Sequence, residues 1–164
     1  MTYPEHYEES TTVLAPQTDV FAFADDHRNL SSHMNTNSWM MAGSKMHTIV
    51  DEGDGKKIGS HIRMEGKILG VHVFLDEVIS EYNPPVGKVW HTVGELRLIV
   101  IGNYQLGYKI SPEGSNSRFT VFINYELPGG PSKIIGILLG KMYARWCVHQ
   151  MIVSVRDHFR ANMR

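Results

Sequence analysis

Cysteine is almost absent from this chain of 164 residues: Cys147 stands alone. An intrachain disulfide and a thiolate metal cluster are therefore both excluded. Charge of one sign is lacking too. Sixteen Lys and Arg face seventeen Asp and Glu, for a net charge of -1. That excludes the strongly basic surface of a nucleic-acid binder. Long apolar runs are missing. The longest, 134–139 (broken by Gly136) and 98–101, fall far short of the roughly 20 residues that cross a bilayer, so no stable membrane insertion is expected. The opening residues MTYPEHYEES hold no basic segment followed by an apolar core. No secretory leader is expected, and a soluble cytoplasmic protein is. No HExxH and no close His/Asp constellation occurs, so no metal and no cofactor is called for. There is no internal repeat, no low-complexity stretch and no linker. With 42% hydrophobic residues, one domain over 1–164 with its own core is the expectation.

What is present is alternation. In 58–68 the apolar residues are Ile58, Ile62, Met64 and Ile68, against polar His61, Arg63, Glu65 and Lys67. In 98–110 the even positions are apolar or small: Leu98, Val100, Gly102, Tyr104, Leu106, Tyr108 and Ile110. In 119–127 the odd positions Phe119, Val121, Ile123, Tyr125 and Leu127 alternate with Thr120, Asn124 and Glu126. Period two of this kind marks antiparallel strands with one buried face. Residues 6–14, 40–51, 71–82 and 88–95 read as further strands. Between the first and second, Thr18 or Asp19 is placed to cap a short helix over 20–25, and 27–34 reads as a second.

After the Gly129-Gly130-Pro131 break the period changes. Ile135, Leu138, Leu139, Met142, Trp146, His149 and Val153 recur at three- and four-residue steps, predicting a helix with this apolar face. With Ser132 as its cap and 162 as its end, it would be roughly 45 Å long. The expected class is α+β. A curved antiparallel sheet of about seven strands wraps a long C-terminal helix, with two short helices after strand 1. A straight helix against a bent sheet touches it along only part of its length, and a gap is left.

This order and several local strings resemble the SRPBCC superfamily, the START-like helix-grip proteins, and within it the polyketide cyclase/dehydrase and lipid-transport branch. The residues that carry the likeness are Ala15-Pro16, Val20-Phe21-Ala22-Phe23 and Asp25-Asp26. Gly59-Ser60 before a strand, Pro84-Pro85 before Val89-Trp90, and the closing helix complete it. The resemblance implies a hydrophobic tunnel between sheet and helix. Left empty, about 500 Å³ would cost on the order of 12 kcal/mol, as much as a typical domain's whole stability. Such a cavity holds water or ligand, or is closed by side chains.

Ligand contact is therefore expected from Trp39, Met64, Trp90, Tyr104, Leu106, Tyr108, Phe119, Val121, Ile123, Tyr125, Met142 and Trp146. The three tyrosines lie on apolar phases, either as polar anchors in the pocket or as core residues with hydroxyls at the sheet rim. The tryptophans and methionines are tunnel walls or ordinary core. No catalytic residue is assigned. His91 shares a phase with Val89 and Val93 and could face inward as an acid or base, although a hydrogen-bonded core or rim histidine is the better reading. Arg145 lies beside the helical stripe, its head at a ligand or in water. The glycines of 53–59 lead into a strand, so they form a hairpin turn through Asp54-Gly55 rather than a phosphate loop. Arg156, Arg160 and Arg164 complement a helix C-terminus. The function expected is binding, transport or sequestration of a hydrophobic small molecule or lipid. A cyclase/dehydratase using the same cavity is the alternative. A protein-interaction or chaperone-cofactor module is another, and a homo-oligomer is left open.

Overall fold

A computed structural model describes residues 3–31, 45–68, 71–98, 101–127 and 139–161. Seven strands form one sheet: β1 (Glu5–Val13), β2 (Lys45–Val50), β3 (His61–Ile68), β4 (Val71–Asn83), β5 (Gly87–Arg97), β6 (Tyr104–Glu113) and β7 (Asn116–Tyr125). Two short helices, α1 (Gln17–Asp25) and α2 (His27–Leu30), follow β1, and a long one, α3 (Lys141–Ala161), closes the chain. The sheet order is β1-β7-β6-β5-β4-β3-β2. Every neighbouring pair is antiparallel. Six strands thus meander, and β1 joins β7 from the far end of the sequence.

Alternation decides which face is buried. On β7, Ser117, Phe119, Val121, Ile123 and Tyr125 are buried. On β6 these are Tyr104, Tyr108 and Ile110 on the even phase. Ile62 and Met64 of β3 and Val73, Leu75, Glu77 and Ile79 of β4 continue the layer. Close strand approach at β5–β6 needs a bare backbone: a Cβ on Gly87 would stand 2.4 Å from the Tyr108 carbonyl oxygen. Bends come from β4, whose pairing with β5 shifts register between Phe74 and Asp76 and again between Ile79 and Glu81. Such irregularities kink a strand and re-aim its side chains.

Several expected boundaries move. β3 begins at His61, and Ile58 lies in the preceding turn, 66% exposed. Asp51 takes over there, accepting from Gly53 N, Ser60 Oγ and His61 N. Asp54 and Gly55 both have positive φ in the turn, as the hairpin reading requires. β6 starts at Tyr104, and just ahead of it Gly102 N donates to the Glu126 carbonyl oxygen at 2.8 Å. Neither Thr18 nor Asp19 caps α1. Pro16 holds that position with φ -62° and ψ 152°, and its carbonyl accepts from Asp19 N and Val20 N. α2 does have a side-chain cap, Asp26 accepting from Arg28 N at 3.0 Å. The expected Ser132 cap, the first turns of the helix and the tail of the second short helix lie outside the described residues.

α3 runs beside β1. Lys141 Nζ lies 3.1 Å from Glu5 Oε2. The Arg145 guanidinium sits 5.5 Å from the Tyr7 ring centroid. His149 Nδ1 is 2.9 Å from Glu9 Oε1. Four helical residues rise about 6 Å and two strand residues about 6.8 Å, so the helix positions i, i+4, i+8 meet strand positions i, i+2, i+4. This ladder holds the helix along the β1 side of the sheet and leaves the β3–β6 side to be covered otherwise.

The buried face of α3 is Ala144, Val148, Met151, Ile152 and Val155. That corrects the expected face. Met142 is 40% exposed, His149 is exposed, and Trp146 and Val153 are half-buried. The helix carries apolar residues on more than one side, and the β1 ladder selects which side turns inward.

Candidate functional site

Between α3 and the β3–β6 part of the sheet lies a cavity of about 770 Å³, solvent at its opening included. Ile62 and Met64 come from β3, Leu75 and Glu77 from β4, Lys88 and Trp90 from β5, Tyr104 and Leu106 from β6, and Ile123 from β7. Tyr143, Cys147 and Met151 project from α3, four residues apart, and Ala24, His27, Leu30 and Ser31 close one end. Leu98 and Ile101 complete the described wall. The lining is mostly apolar, as ligand pockets are, with few polar groups.

The dominant polar group is Glu77, 3% exposed. It belongs to the apolar phase of β4 and stands between that strand's two register shifts. Its Oε1 accepts from Trp90 Nε1 at 3.1 Å and from the Tyr104 hydroxyl. Thr92 pairs with Glu77 across β4–β5, and its Oγ1 takes the Tyr104 backbone N–H at 3.1 Å. Glu77, Thr92 and Tyr104 thereby line up across three strands. No described group bonds Glu77 Oε2. Burial is the main influence on this carboxyl and pushes its pKa up to about 7, against the two hydrogen bonds that favour the anion.

A second buried charge lies nearby but is neutralised. Lys88 Nζ donates to Asp25 Oδ1 and to the Asp25 carbonyl oxygen, both at 3.0 Å. Tyr82 donates to Asp25 Oδ2 at 2.9 Å. Burial lowers the Lys88 pKa, and the Asp25 carboxylate opposes that. On α3, burial pushes the Cys147 thiol up to about 12 although the Tyr143 hydroxyl bonds it. The thiol is therefore a neutral wall group rather than a nucleophile.

Of the residues expected at the ligand, Met64, Trp90, Tyr104, Leu106 and Ile123 line the cavity. Tyr108, Phe119, Val121 and Tyr125 do not. They are buried where α1 packs on β6 and β7 and α3 packs on β7, and Tyr108 packs edge to face or tilted against Phe21, Trp90 and Phe119. The Tyr108 hydroxyl is buried with no hydrogen-bond partner among the described residues. Met142 points to solvent and Trp146 packs beside Tyr143, rings 5.9 Å apart. Both miss the cavity for the same reason as the helix face: the inward positions are 143, 147 and 151. Trp39 lies outside the described residues. His91, opposite Val78 and Gln105, is on the other face from Trp90, and Arg145 sits over Tyr7. Neither reaches the cavity.

Glu77 and Lys88 are not among the residues that the sequence points to. A signal for each was present. Glu77 shares the phase of Val73, Leu75 and Ile79, and Lys88 that of Trp90 and Thr92. A charge in the buried phase of a strand needs a partner or a purpose.

No protein-family model matches the sequence, and no curated protein does. Solved structures match over nearly the whole chain. The Streptomyces sp. R1128 ZhuI aromatase/cyclase is 10% identical with a TM-score of 0.71, covering 98% of this chain and 96% of its own. The protein TTHA0849 of Thermus thermophilus is 17% identical with a TM-score of 0.65, covering 98% and 100%. A point mutant of Thalictrum flavum norcoclaurine synthase, in complex with a transition-state analogue, is 12% identical with a TM-score of 0.64, covering 98% and 96%. At these identities the likeness is one of fold. The chain has the α+β helix-grip fold of the SRPBCC, or START-like, proteins. Among the described residues no helix is long and apolar enough to cross a membrane, and no cluster of metal-ligating side chains occurs.

Proposed function

We propose that residues 1–164 form a single ligand-binding domain that holds a hydrophobic small molecule or lipid between sheet and helix. The observation that carries this is the cavity itself, apolar in lining and supplied with one carboxyl oxygen that no described group bonds. The aromatase/cyclase and the norcoclaurine synthase among the fold neighbours support the reading, since both of those proteins act on small molecules. Burying about 300 Å² of apolar ligand surface would contribute about 7 kcal/mol before ordering costs. That suffices for micromolar binding where the polar end also finds a partner.

Native mass spectrometry of the purified protein tests it directly. A retained apolar molecule in stoichiometric amount, or saturable uptake of a two-ring aromatic such as naphthalene, is the expected result. Protein that carries nothing and is neither bound nor stabilised by any apolar compound overturns the proposal.

One feature favours a second reading, an enzyme of the cyclase/dehydratase kind. Glu77 gives and takes a proton near neutrality and faces the cavity, which suits a general acid or base. Turnover of a polyketone substrate that is lost in Glu77→Gln while substrate binding persists would establish it. Unchanged turnover would dismiss it.

A further inference from the structure

Resting on the cavity as a ligand site, we propose that Glu77 Oε2 is the ligand's polar anchor. The cavity thereby selects apolar molecules that end in a hydrogen-bond donor, a hydroxyl or a protonated amine. Oε1 already takes two donors, Trp90 Nε1 and the Tyr104 hydroxyl. Oε2 takes none from the described residues, and unlike the Tyr108 hydroxyl it is not sealed in: it opens on the cavity that Glu77 lines, while the side chain as a whole is almost fully removed from bulk water. When an apolar ligand fills the cavity, this oxygen is cut off from water and is costly to leave without a partner, and a donor that arrives with the ligand removes that cost.

The described groups around it do not fill this role. On β5, Lys88 is held by Asp25. On β6, the Tyr104 hydroxyl is committed to Oε1. On α3, the Tyr143 hydroxyl bonds the Cys147 thiol, and burial keeps both neutral. On α2, His27 is held toward its neutral form, chiefly by burial. On β4 itself, Asp76 is engaged by His61 and Arg63 on the opposite face. Among the described residues, the cavity therefore holds one charge that lacks a counter-charge, and that charge is negative.

A proton on Glu77 goes to Oε2, because Oε1 is occupied by donors. The anchor then becomes a donor itself and prefers an acceptor such as a ketone. Its switch falls near pH 7, so donor-ended ligands are favoured above that pH and acceptor-ended ones below it. Binding of a donor-ended ligand stabilises the anion and releases protons near neutrality.

Four probes of one shape test this on the full chain: naphthalene, naphthol, naphthylmethylamine and acetonaphthone, titrated at about pH 5.5 and about pH 8.5. Naphthol, the amine or both should bind roughly tenfold or more tighter than naphthalene at the higher pH. Which of the two leads tells hydroxyl from amine. The ketone should gain at the lower pH. In Glu77→Gln the amide oxygen can still accept from Trp90 and Tyr104, and the amide nitrogen takes the place of Oε2. The ketone should then lead at both pH values. If naphthalene binds but the probes keep the same order at both pH values, the anchor is refuted and the cavity reading stands. If no probe binds, both fall. Should Glu77→Gln fail to fold, the pH crossover in the unaltered protein decides alone.

Discussion

Lys88 Nζ lies 3.0 Å from Asp25 Oδ1, a buried ion pair between β5 and the end of α1 that joins residues 63 positions apart. Both carboxylate oxygens of Asp25 are engaged. The lysine also reaches the Asp25 carbonyl, and Tyr82 takes the other carboxylate oxygen. The pair fastens the helical end of the cavity to the sheet.

Removing one member strands the other in a low dielectric. Asp25→Leu and Lys88→Met should each destabilise the protein by about 3–5 kcal/mol. The double variant should lose clearly less than the sum, because two apolar side chains need no neutralisation. Urea unfolding of the four proteins measures this. Strictly additive losses would show that the two charges do not interact.

Glu77 makes stability fall as pH rises. Its pKa goes from 4.5 when unfolded to about 7 when folded. Between those values the folded state holds the extra proton, so stability is full below about pH 4.5 and is lost up to about pH 7. The loss is of the order of 3 kcal/mol for this group alone. Unfolding midpoints measured across that window should slope downward for the unaltered chain and less so for Glu77→Gln. Parallel slopes would mean that the carboxyl titrates normally.

Tyr108 and Tyr104 should respond oppositely to loss of the hydroxyl. Tyr108 is fully buried and its hydroxyl has no partner among the described residues. Tyr108→Phe should hold or raise stability, by up to about 1 kcal/mol, or a Tm rise of about 2–4 °C. Tyr104→Phe removes a donor from Glu77 and should lower stability by about 1–3 kcal/mol at pH 8. A Tm drop of several degrees in Tyr108→Phe would reveal a partner for that hydroxyl.

Filling the cavity should separate binding from folding. Leu106 lines it from β6 and is only half-buried. Leu106→Trp should abolish uptake of naphthalene while changing stability by less than about 1.5 kcal/mol, because the added rings enter vacant space. Uptake that survives the substitution, in a folded protein, would place the ligand elsewhere.

The strands were legible because alternation is a local property. Phe119, Val121, Ile123 and Tyr125 declare their face within one segment, and β7 buries those positions. The helix face does not follow from the sequence, because α3 carries apolar residues on several sides. Met142 and Trp146 fit an apolar stripe as well as Tyr143, Cys147 and Met151 do. The choice between them is made by Glu5, Tyr7 and Glu9 on a strand well over a hundred residues away.

From the chain alone came the element order, the single antiparallel layer and the long closing helix, since periodicity is written in neighbouring residues. Tertiary structure alone decided the helix rotation, the Lys88–Asp25 pair and the convergence of Glu77, Trp90 and Tyr104 on one cavity wall. Those depend on distances between residues far apart in sequence, and a buried charge shows its cost only once its surroundings are in place.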